Sequence, residues 1–311
     1  MLWKLLALVL LAAPLPADAQ PHPSLESTIR FARERGYRAS SVDWARVDAD
    51  ARTIAATEGE DAAIRFVLKA LGDGHSSYRP PSHVDPAAPS RAPRAVRRVA
   101  EPLATVEGIP VLRINGWSGT RDEAVAATAE LRAQLVEALA GQSCGVVLDF
   151  TGNSGGNMWP MLIGLSPLLT EGVLGYFEDA GGATTVIAKR GNAIVTRAAP
   201  HPLNRAATHL PAHDAHRVAI ALGPRSSSSG EIVPVLFHGQ GNVRFFGRPT
   251  SGHSTVNSSF HLPNGGIANI TTGVTLDRNR TRFGGRIVPD VASDQPVAEG
   301  ARWVSGECRG R

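Results

Sequence analysis

Lysine is nearly absent from this chain of 311 residues, where it occurs only as Lys4, Lys69 and Lys189. The net charge of +4 at neutral pH is therefore carried almost entirely by arginine. Aromatic residues make up 5% of the sequence, and no basic stripe with interleaved aromatics is present. Nucleic-acid-binding surfaces need such stripes to stack bases and clamp phosphates. The composition therefore argues against nucleic acid as a partner.

Long apolar segments are missing after the N-terminus. Residues 5–13 form an apolar run that is shorter than the ~20 residues a membrane-spanning helix needs. The run follows Lys4 and precedes the small-x-small ending Ala17-Asp18-Ala19, a pattern typical of a secretory signal peptide. We predict a signal peptide over 1–19, with an uncleaved anchor as the alternative. The mature protein is then periplasmic or secreted, with no stable membrane span.

Cysteine occurs only twice, as Cys144 and Cys308, and neither stands in a context typical of a catalytic nucleophile. In an oxidising compartment the two can pair and tie the C-terminal tail to a sheet. Alternatively, Cys144 is a buried free thiol that leads into a strand. The sequence leaves both interpretations open.

Length and hydrophobic content, 311 residues and 42%, suit one large core with a smaller appended domain. The N-terminal part contains three helical patterns, over 25–35, from a cap at Ser40 or Ser41 to about residue 57, and over 60–71. They predict a helical domain over 20–81. Residues 82–98 are rich in proline, alanine and arginine, which predicts a linker.

From about residue 99 the pattern changes to alternating strands and helices, which predicts an α/β domain over 99–311. The segment 121–139 is an amphipathic helix by its periodicity. The apolar runs 145–150 and 218–222 are typical of buried strands, and a helix over 228–238 follows the second run.

Three separated stretches fit one chemistry: Gly74-His75-Ser76 after a helix, residues 149–156 after a buried strand, and Ser226 to Glu231 at the next strand-to-helix junction. Free backbone N–H groups lie at the start of a helix, so a hydroxyl at that junction suits a nucleophile. Glycine lets the backbone approach a developing oxyanion, and histidine can act as base. The three stretches predict a serine hydrolase site.

These motifs resemble, in order, those of the C-terminal-processing (tail-specific) serine peptidases and their tricorn-like relatives. The resemblance covers residues 73–290 and implies a crotonase-like ββα spiral core with a small N-terminal helical domain. The matching segments are Val147 to Asn157 for Asp-x-Arg-x-Asn-x-Gly-Gly, Ser228-Ser-Gly-Glu231 for Ser-Ala-x-Glu, Phe246 to Gly252 for Gly-x-x-Thr-x-Gly, and Val288-Pro289-Asp290 for the closing Pro-Asp.

The resemblance also implies which residue is the base. In the Ser/Lys branch of the family a lysine follows Thr-x-Gly, but His253 stands there in this chain. In the tricorn-like branch the base is a histidine after the N-terminal helices, and His75 matches it. The alternative is that His75 is a structural turn residue. His253 would then act as base, or it contacts substrate.

The nucleophile of the family lies three residues before the glutamate, which corresponds to Ser228. The oxyanion hole then includes the N–H of Ser229 together with Gly155 or Gly156. We expect Glu231 to orient His75. The alternative is a first-turn carboxylate that is favoured by the helix dipole.

The chain is most similar to family members without a PDZ domain, the nisin-resistance type, because only about 25 residues separate Pro80 from Val106. Asn157 and Met158 are placed to bind substrate beside the oxyanion hole, with ordinary core packing as the alternative. Thr151 departs from the family by replacing an arginine.

The predicted function is hydrolysis of peptide bonds in a peptide or protein substrate, with no cofactor. A metal is not expected, since His213 and His216 have ligand-like spacing but no third ligand nearby. Two alternatives remain, a catalytically silent binding protein on the same fold and an esterase or amidase of a non-peptide substrate. The sequence leaves the natural substrate and oligomeric state open.

Overall fold

The computed structural model describes residues 22–83, 98–140, 144–206 and 216–308. The predicted signal peptide, most of the predicted linker and His213 lie outside these ranges. The described part is a mixed α/β structure, as the sequence predicts. No helix in it is long and apolar enough to cross a membrane.

Helices and strands alternate through most of the described residues. The helices are α1 (Pro23–Arg35), α2 (Trp44–Glu58), α3 (Glu60–Ala70), α4 (Arg121–Leu139), α5 (Met158–Gly164), α6 (Ser229–Phe237) and α7 (Pro296–Cys308). The strands are β1 (Ser77–Arg79), β2 (Ala100–Val106), β3 (Ile109–Ile114), β4 (Gly145–Asp149), β5 (Gly172–Asp179), β6 (Thr184–Arg190), β7 (Ala193–Thr196), β8 (Ala199–Pro200), β9 (Arg217–Leu222), β10 (Val243–Gly247), β11 (Thr255–His261), β12 (Ile267–Asp277) and β13 (Val291–Ala292).

One sheet has the order β13-β10-β9-β4-β3-β2, and all its pairs are parallel except β2 with β3. Helix α7 packs on one face of this sheet, while α4, α5 and α6 contribute to the large core on the other face. Asp149 at the end of β4 is in register with Ala221 near the end of β9. The loops that follow these two strands therefore leave the sheet at the same edge, where α/β proteins commonly place their sites.

The second sheet is antiparallel, with the order β1-β12-β5-β6-β7-β8 and β11 paired to β12. Helices α1, α2 and α3 form their own core, which includes Leu262, Ala268 and Ile270 of the β11–β12 region. The loop from α3 to β1 thus passes close to the start of β11. This arrangement brings the segment after residue 72 to the segment after residue 250.

The starts of two helices show how local side chains set their bounds. Helix α4 begins as predicted, because Thr120 and Glu123 form a reciprocal capping box. Helix α2 begins at Trp44 instead of after the predicted cap at Ser40 or Ser41, and Asp43 accepts the N–H of Arg46. The carboxylate of Asp43 caps the helix, while the two serines lie in the preceding 3₁₀ turn.

Cys144 is disulfide-bonded, and the described residues contain no free cysteine. The free-thiol interpretation of Cys144 is therefore wrong. The side chain of Cys308 lies outside the described part of the structure, so its pairing with Cys144 stays a prediction.

Candidate active site

Ser228 occupies the turn between β9 and α6, directly before the first residue of the helix. Its backbone has φ +53° and ψ −121°, a region that residues with a Cβ rarely adopt. Strained backbone of this kind persists only where neighbouring contacts hold it. Here the N–H of Ser228 donates to Glu231 Oε2 at 3.1 Å. The serine hydroxyl donates its hydrogen to no other described residue, and its oxygen takes part in a capping box with the N–H of Glu231.

The glycine loop after β4 lies against Ser228. A Cβ on Gly155 would come within 2.6 Å of the Ser228 Cβ, and one on Gly156 within 2.0 Å of the Trp117 carbonyl oxygen. Both glycines have positive φ, +98° and +116°. Only glycine allows this approach of backbone to serine.

The N–H groups of this loop are not equivalent. The N–H of Gly155 donates to Asn153 Oδ1 at 2.9 Å, so it is already satisfied. Among the described residues, no acceptor takes the N–H of Gly156 or that of Ser229, the first residue of α6. Ser229 Oγ donates to the Gly156 carbonyl at 2.5 Å and thereby ties the two segments together. The expected oxyanion donors Gly156 and Ser229 are free, whereas Gly155 is not.

His75 is held by its neighbours on both sides. Its N–H donates to Asp73 Oδ1 at 2.8 Å, and its carbonyl accepts from Asn257 Nδ2 at 3.1 Å. Nδ1 of the ring lies 2.7 Å from Thr255 Oγ1. Nε2 is therefore the nitrogen left for a reacting hydroxyl. No hydrogen bond joins it to Ser228 in the described structure.

Burial lowers the pKa of His75 to about 4. The nearby His253 ring lowers this pKa further, while the Asp73 carboxylate opposes the shift. The imidazole is consequently neutral at physiological pH. A neutral imidazole is the form that can accept a proton.

His253 lies at the same site, with its ring centroid 5.0 Å from that of His75. Its Nδ1 is 3.2 Å from Ser227 Oγ and 3.1 Å from Ser251 Oγ. Two serine hydroxyls thus contact the His253 ring, those of Ser227 and Ser251, and neither contact joins the predicted pair of Ser228 and His75.

Glu231 is fully buried in the first turn of α6. Besides the N–H of Ser228, its carboxylate accepts hydrogen bonds from the following loop: from Thr250 Oγ1, Ser251 Oγ at 3.1 Å, Gly252 N–H at 3.0 Å and His253 N–H at 2.7 Å. None of its hydrogen bonds goes to His75. The expectation that Glu231 orients the base is therefore not met, because Thr255 holds that ring and Glu231 holds the loop of residues 250–253.

The residues expected to bind substrate lie in different environments. Asn157 Oδ1 accepts the N–H of Trp159 at 3.1 Å and caps α5. Met158 is only 7% exposed and belongs to the large core, which matches the packing alternative. Trp159 is partly exposed and stacks on His201 with ring centroids 4.3 Å apart.

A groove of about 640 Å³ runs beside the base loop. Asn257, whose side chain donates to the His75 carbonyl, is one of its lining residues, and most of the others belong to the strands of the antiparallel sheet and the loops between them. Its walls combine aromatic, hydroxyl and charged side chains, among them Trp159, Phe177, Thr184, Arg197, Val256 and Ser258. The groove can hold an extended segment of a larger molecule.

Sequence reasoning missed Thr255, Asn153 and the hydroxyls of Thr250 and Ser251. Thr255 contacts His75 across 180 positions of sequence, and no motif links the two. Asn153 lies within the glycine-rich motif, so its proximity to the site was open to inference. Among the described residues, no group of three or more His, Cys, Asp or Glu side chains is arranged to hold a metal.

Gly155→Ala tests the close approach of the glycine loop. We expect a loss of kcat/KM on the order of 10²-fold, because the new methyl group displaces Ser228. Gly172→Ala is the matched control, since Gly172 has φ +103° and open space around its Cβ position. That control measures backbone strain alone, about 1–3 kcal/mol. Thermal unfolding and hydrolysis assays that show equal losses for both variants would contradict the packing of Gly155 on Ser228.

Comparison with known proteins gives a consistent result. The chain is 25% identical over 301 residues to the nisin-resistance protein of Lactococcus lactis subsp. lactis, which covers 92% of this chain and 89% of that protein. The structure of a lipoprotein from Streptococcus agalactiae superposes with a TM-score of 0.77 at 23% identity, covering 96% and 100% of the two chains. The photosystem II D1 C-terminal processing protease superposes with a TM-score of 0.58 at 13% identity, covering 91% and 97%.

The assignment to a family rests on a match to part of the chain. Residues 108–293 match peptidase family S41, and this range contains Ser228, the glycine loop and the loop of residues 250–253. His75 and the N-terminal helices precede it. Because the match spans more than half of its length, the chain belongs to peptidase family S41 and is a serine-type peptidase.

Proposed function

We propose that this protein is an exported peptidase in which Ser228 is the nucleophile, His75 the base, and the N–H groups of Gly156 and Ser229 the oxyanion hole. The observation that carries the proposal is the surroundings of Ser228. Its strained backbone presents a hydroxyl that donates no hydrogen bond, beside two N–H groups that have no acceptor among the described residues. Donors of this kind, preorganised at a developing negative charge, contribute strongly to acyl-transfer catalysis.

The hydrogen bonds of this turn favour Ser228 over Ser227 and Ser229 as the nucleophile. Ser227 donates its N–H to the Asn153 carbonyl, and the next N–H, that of Ser228, goes to Glu231. The Ser229 hydroxyl donates to the Gly156 carbonyl, and the next N–H, that of Gly230, donates to the Ser227 carbonyl. Of these three serines, Ser228 alone is followed by an N–H that has no acceptor among the described residues. Its hydroxyl also donates to no described residue, so Ser228 combines an available proton with an adjacent oxyanion donor.

In the proposed reaction Nε2 of His75 removes the proton from Ser228 Oγ as that oxygen attacks the carbonyl carbon of the scissile bond. The carbonyl oxygen becomes an oxyanion between the N–H groups of Gly156 and Ser229. The imidazolium then protonates the leaving amine, the C–N bond breaks, and an acyl-enzyme remains. Water deprotonated by His75 hydrolyses the ester and restores Ser228.

Thr255 takes the place at Nδ1 where many serine hydrolases have a carboxylate. A hydroxyl can accept the Nδ1–H of His75 and fix the tautomer that leaves Nε2 unprotonated. It carries no charge, so it stabilises the imidazolium less than a carboxylate does. This agrees with the lowered pKa of His75.

The substrate we propose is a peptide or protein outside the cytoplasm. The signal-like N-terminus supports export, and a relative that is named for resistance to nisin supports a peptide substrate. The groove beside His75 is large enough for several side chains of an extended segment. An esterase or amidase would use the same nucleophile and oxyanion hole, so the assay compares peptide, ester and amide substrates.

Labelling with a fluorophosphonate probe tests this proposal directly. We expect one covalent adduct per chain, mapped to Ser228 by mass spectrometry of the digested protein. The Ser228→Ala protein and heat-unfolded wild type serve as controls without label. An adduct on Ser227, or no adduct together with no hydrolysis, contradicts the proposal, and the latter result identifies a binding protein.

A further inference from the structure

The second imidazole of the site, His253, makes contacts that neither a substrate-binding residue nor a base requires. Its backbone N–H is held by Glu231 at 2.7 Å, and its Nδ1 contacts the hydroxyls of Ser227 and Ser251. A Cβ on Gly74 would lie 3.7 Å from its Nε2, so the ring is close to the loop that carries His75. His253 therefore contacts both the nucleophile turn and the base loop.

The contact with Ser227 acts on the residue directly before the nucleophile. Ser227 is fixed by its N–H to Asn153 and by its hydroxyl to His253. Ser228 has a backbone conformation that persists only under such constraints. The Ser227–His253 hydrogen bond is one of these constraints. A positioning role therefore accounts for a serine–imidazole pair that does not include the nucleophile.

The contact with His75 is electrostatic. The ring centroids are 5.0 Å apart, a distance at which two positive charges in a partly buried site repel each other strongly. Charged groups near the pair include Asp73 on the base loop, Glu231 on α6, which accepts the His253 N–H, and Arg286, whose Nη1 donates to the Thr250 carbonyl at 3.1 Å.

We propose that His253 is a positioning residue of the Ser228–His75 pair: its ring fixes Ser227 and opposes a positive charge on His75. This inference rests on the proposed function for its catalytic meaning, but the coupling between the rings is measurable without catalysis. The presence of His253 lowers the pKa of His75. A ring that repels the imidazolium keeps the base in its neutral form toward acidic pH.

NMR titration of the His75 ring in the Ser228→Ala protein tests the electrostatic part. Adding His253→Asn removes the imidazole but keeps an amide that can bond Ser227. We expect the pKa of His75 to rise by about 0.5 to 1 pH unit. The control is His261→Asn at the far end of β11, roughly 20 Å along the strand, which leaves the titration unchanged. An unchanged His75 titration in the His253→Asn protein overturns the electrostatic role.

Ser227→Ala in the otherwise wild-type enzyme tests the positioning part. It removes the hydroxyl that bonds His253 and keeps both rings. We expect kcat to fall roughly tenfold with KM little changed, because misplacing the nucleophile affects the transition state more than binding. Unchanged kcat overturns the positioning role. If Ser228→Ala hydrolyses as well as wild type, the proposed function fails, while a shifted His75 titration still supports the coupling of the two rings.

Discussion

Replacement of Ser228 by alanine is expected to lower kcat/KM on the order of 10³-fold or more. The change removes the hydroxyl and leaves the N–H bond to Glu231 in place. Alanine has a Cβ like serine, so the backbone strain at φ +53° is unchanged. Thermal unfolding should therefore give the same midpoint as wild type. Hydrolysis of a peptide substrate under identical conditions measures the effect.

The neighbouring serines supply the controls for this result. Ser227→Ala and Ser229→Ala each remove a hydroxyl that bonds other groups, so both should lose activity, but far less of it than Ser228→Ala. If the alanine variant of either neighbour abolishes hydrolysis while Ser228→Ala does not, the assignment of the nucleophile is wrong.

The second large effect is expected from His75→Ala. Without the imidazole nothing removes the proton from Ser228, so kcat/KM should fall nearly as far as in Ser228→Ala. The double variant should be little worse, because nucleophile and base act as one unit. A His75→Ala enzyme that keeps most of its rate, together with an inactive His253→Ala enzyme, would transfer the role of base to His253.

The pH dependence of the wild-type enzyme gives an independent check on the base. Since burial lowers the pKa of His75 to about 4, kcat/KM should rise with pH through that value and stay level to neutrality. A lysine base would instead give an ascending limb at alkaline pH.

The stability of the fold should also depend on the protonation of His75. The unfolded chain binds the His75 proton more tightly than the folded one between pH about 4 and 6.5, so the free energy of unfolding rises with pH across this window. His75→Ala should flatten that part of the profile, which chemical unfolding at several pH values measures.

Local sequence signals predicted much of this fold because their causes are local. Helix α4 has its own capping box, and the buried strands β4 and β9 are continuous apolar runs. Helix α7 was not predicted, since Gly300 and Gly306 lower its intrinsic helix propensity and its stability comes from packing on the parallel sheet. The crotonase-like spiral stays a prediction beyond the mixed α/β architecture.

The candidate site was predictable only where a residue lies within a motif. Ser228 and Ser229 follow from the order of residues in the serine motif, and Gly156 follows from the glycine-rich motif after β4. Thr255, the hydrogen-bond partner of His75, was not predictable, because the pairing of distant strands brings the two residues together. Glu231 was placed correctly on its helix but given the wrong contact, since its carboxylate is taken up by the loop of residues 250–253.

The catalytic pair we propose is divided between two of the hydrophobic cores that the described residues form. His75 follows the N-terminal helices, whose core closes on β11 and β12, while Ser228 belongs to the core around the parallel sheet. A chain whose helices have not yet docked thus has a nucleophile without a base. On the proposed assignment such a chain lacks a complete catalytic pair, so hydrolysis begins only when the helices have docked.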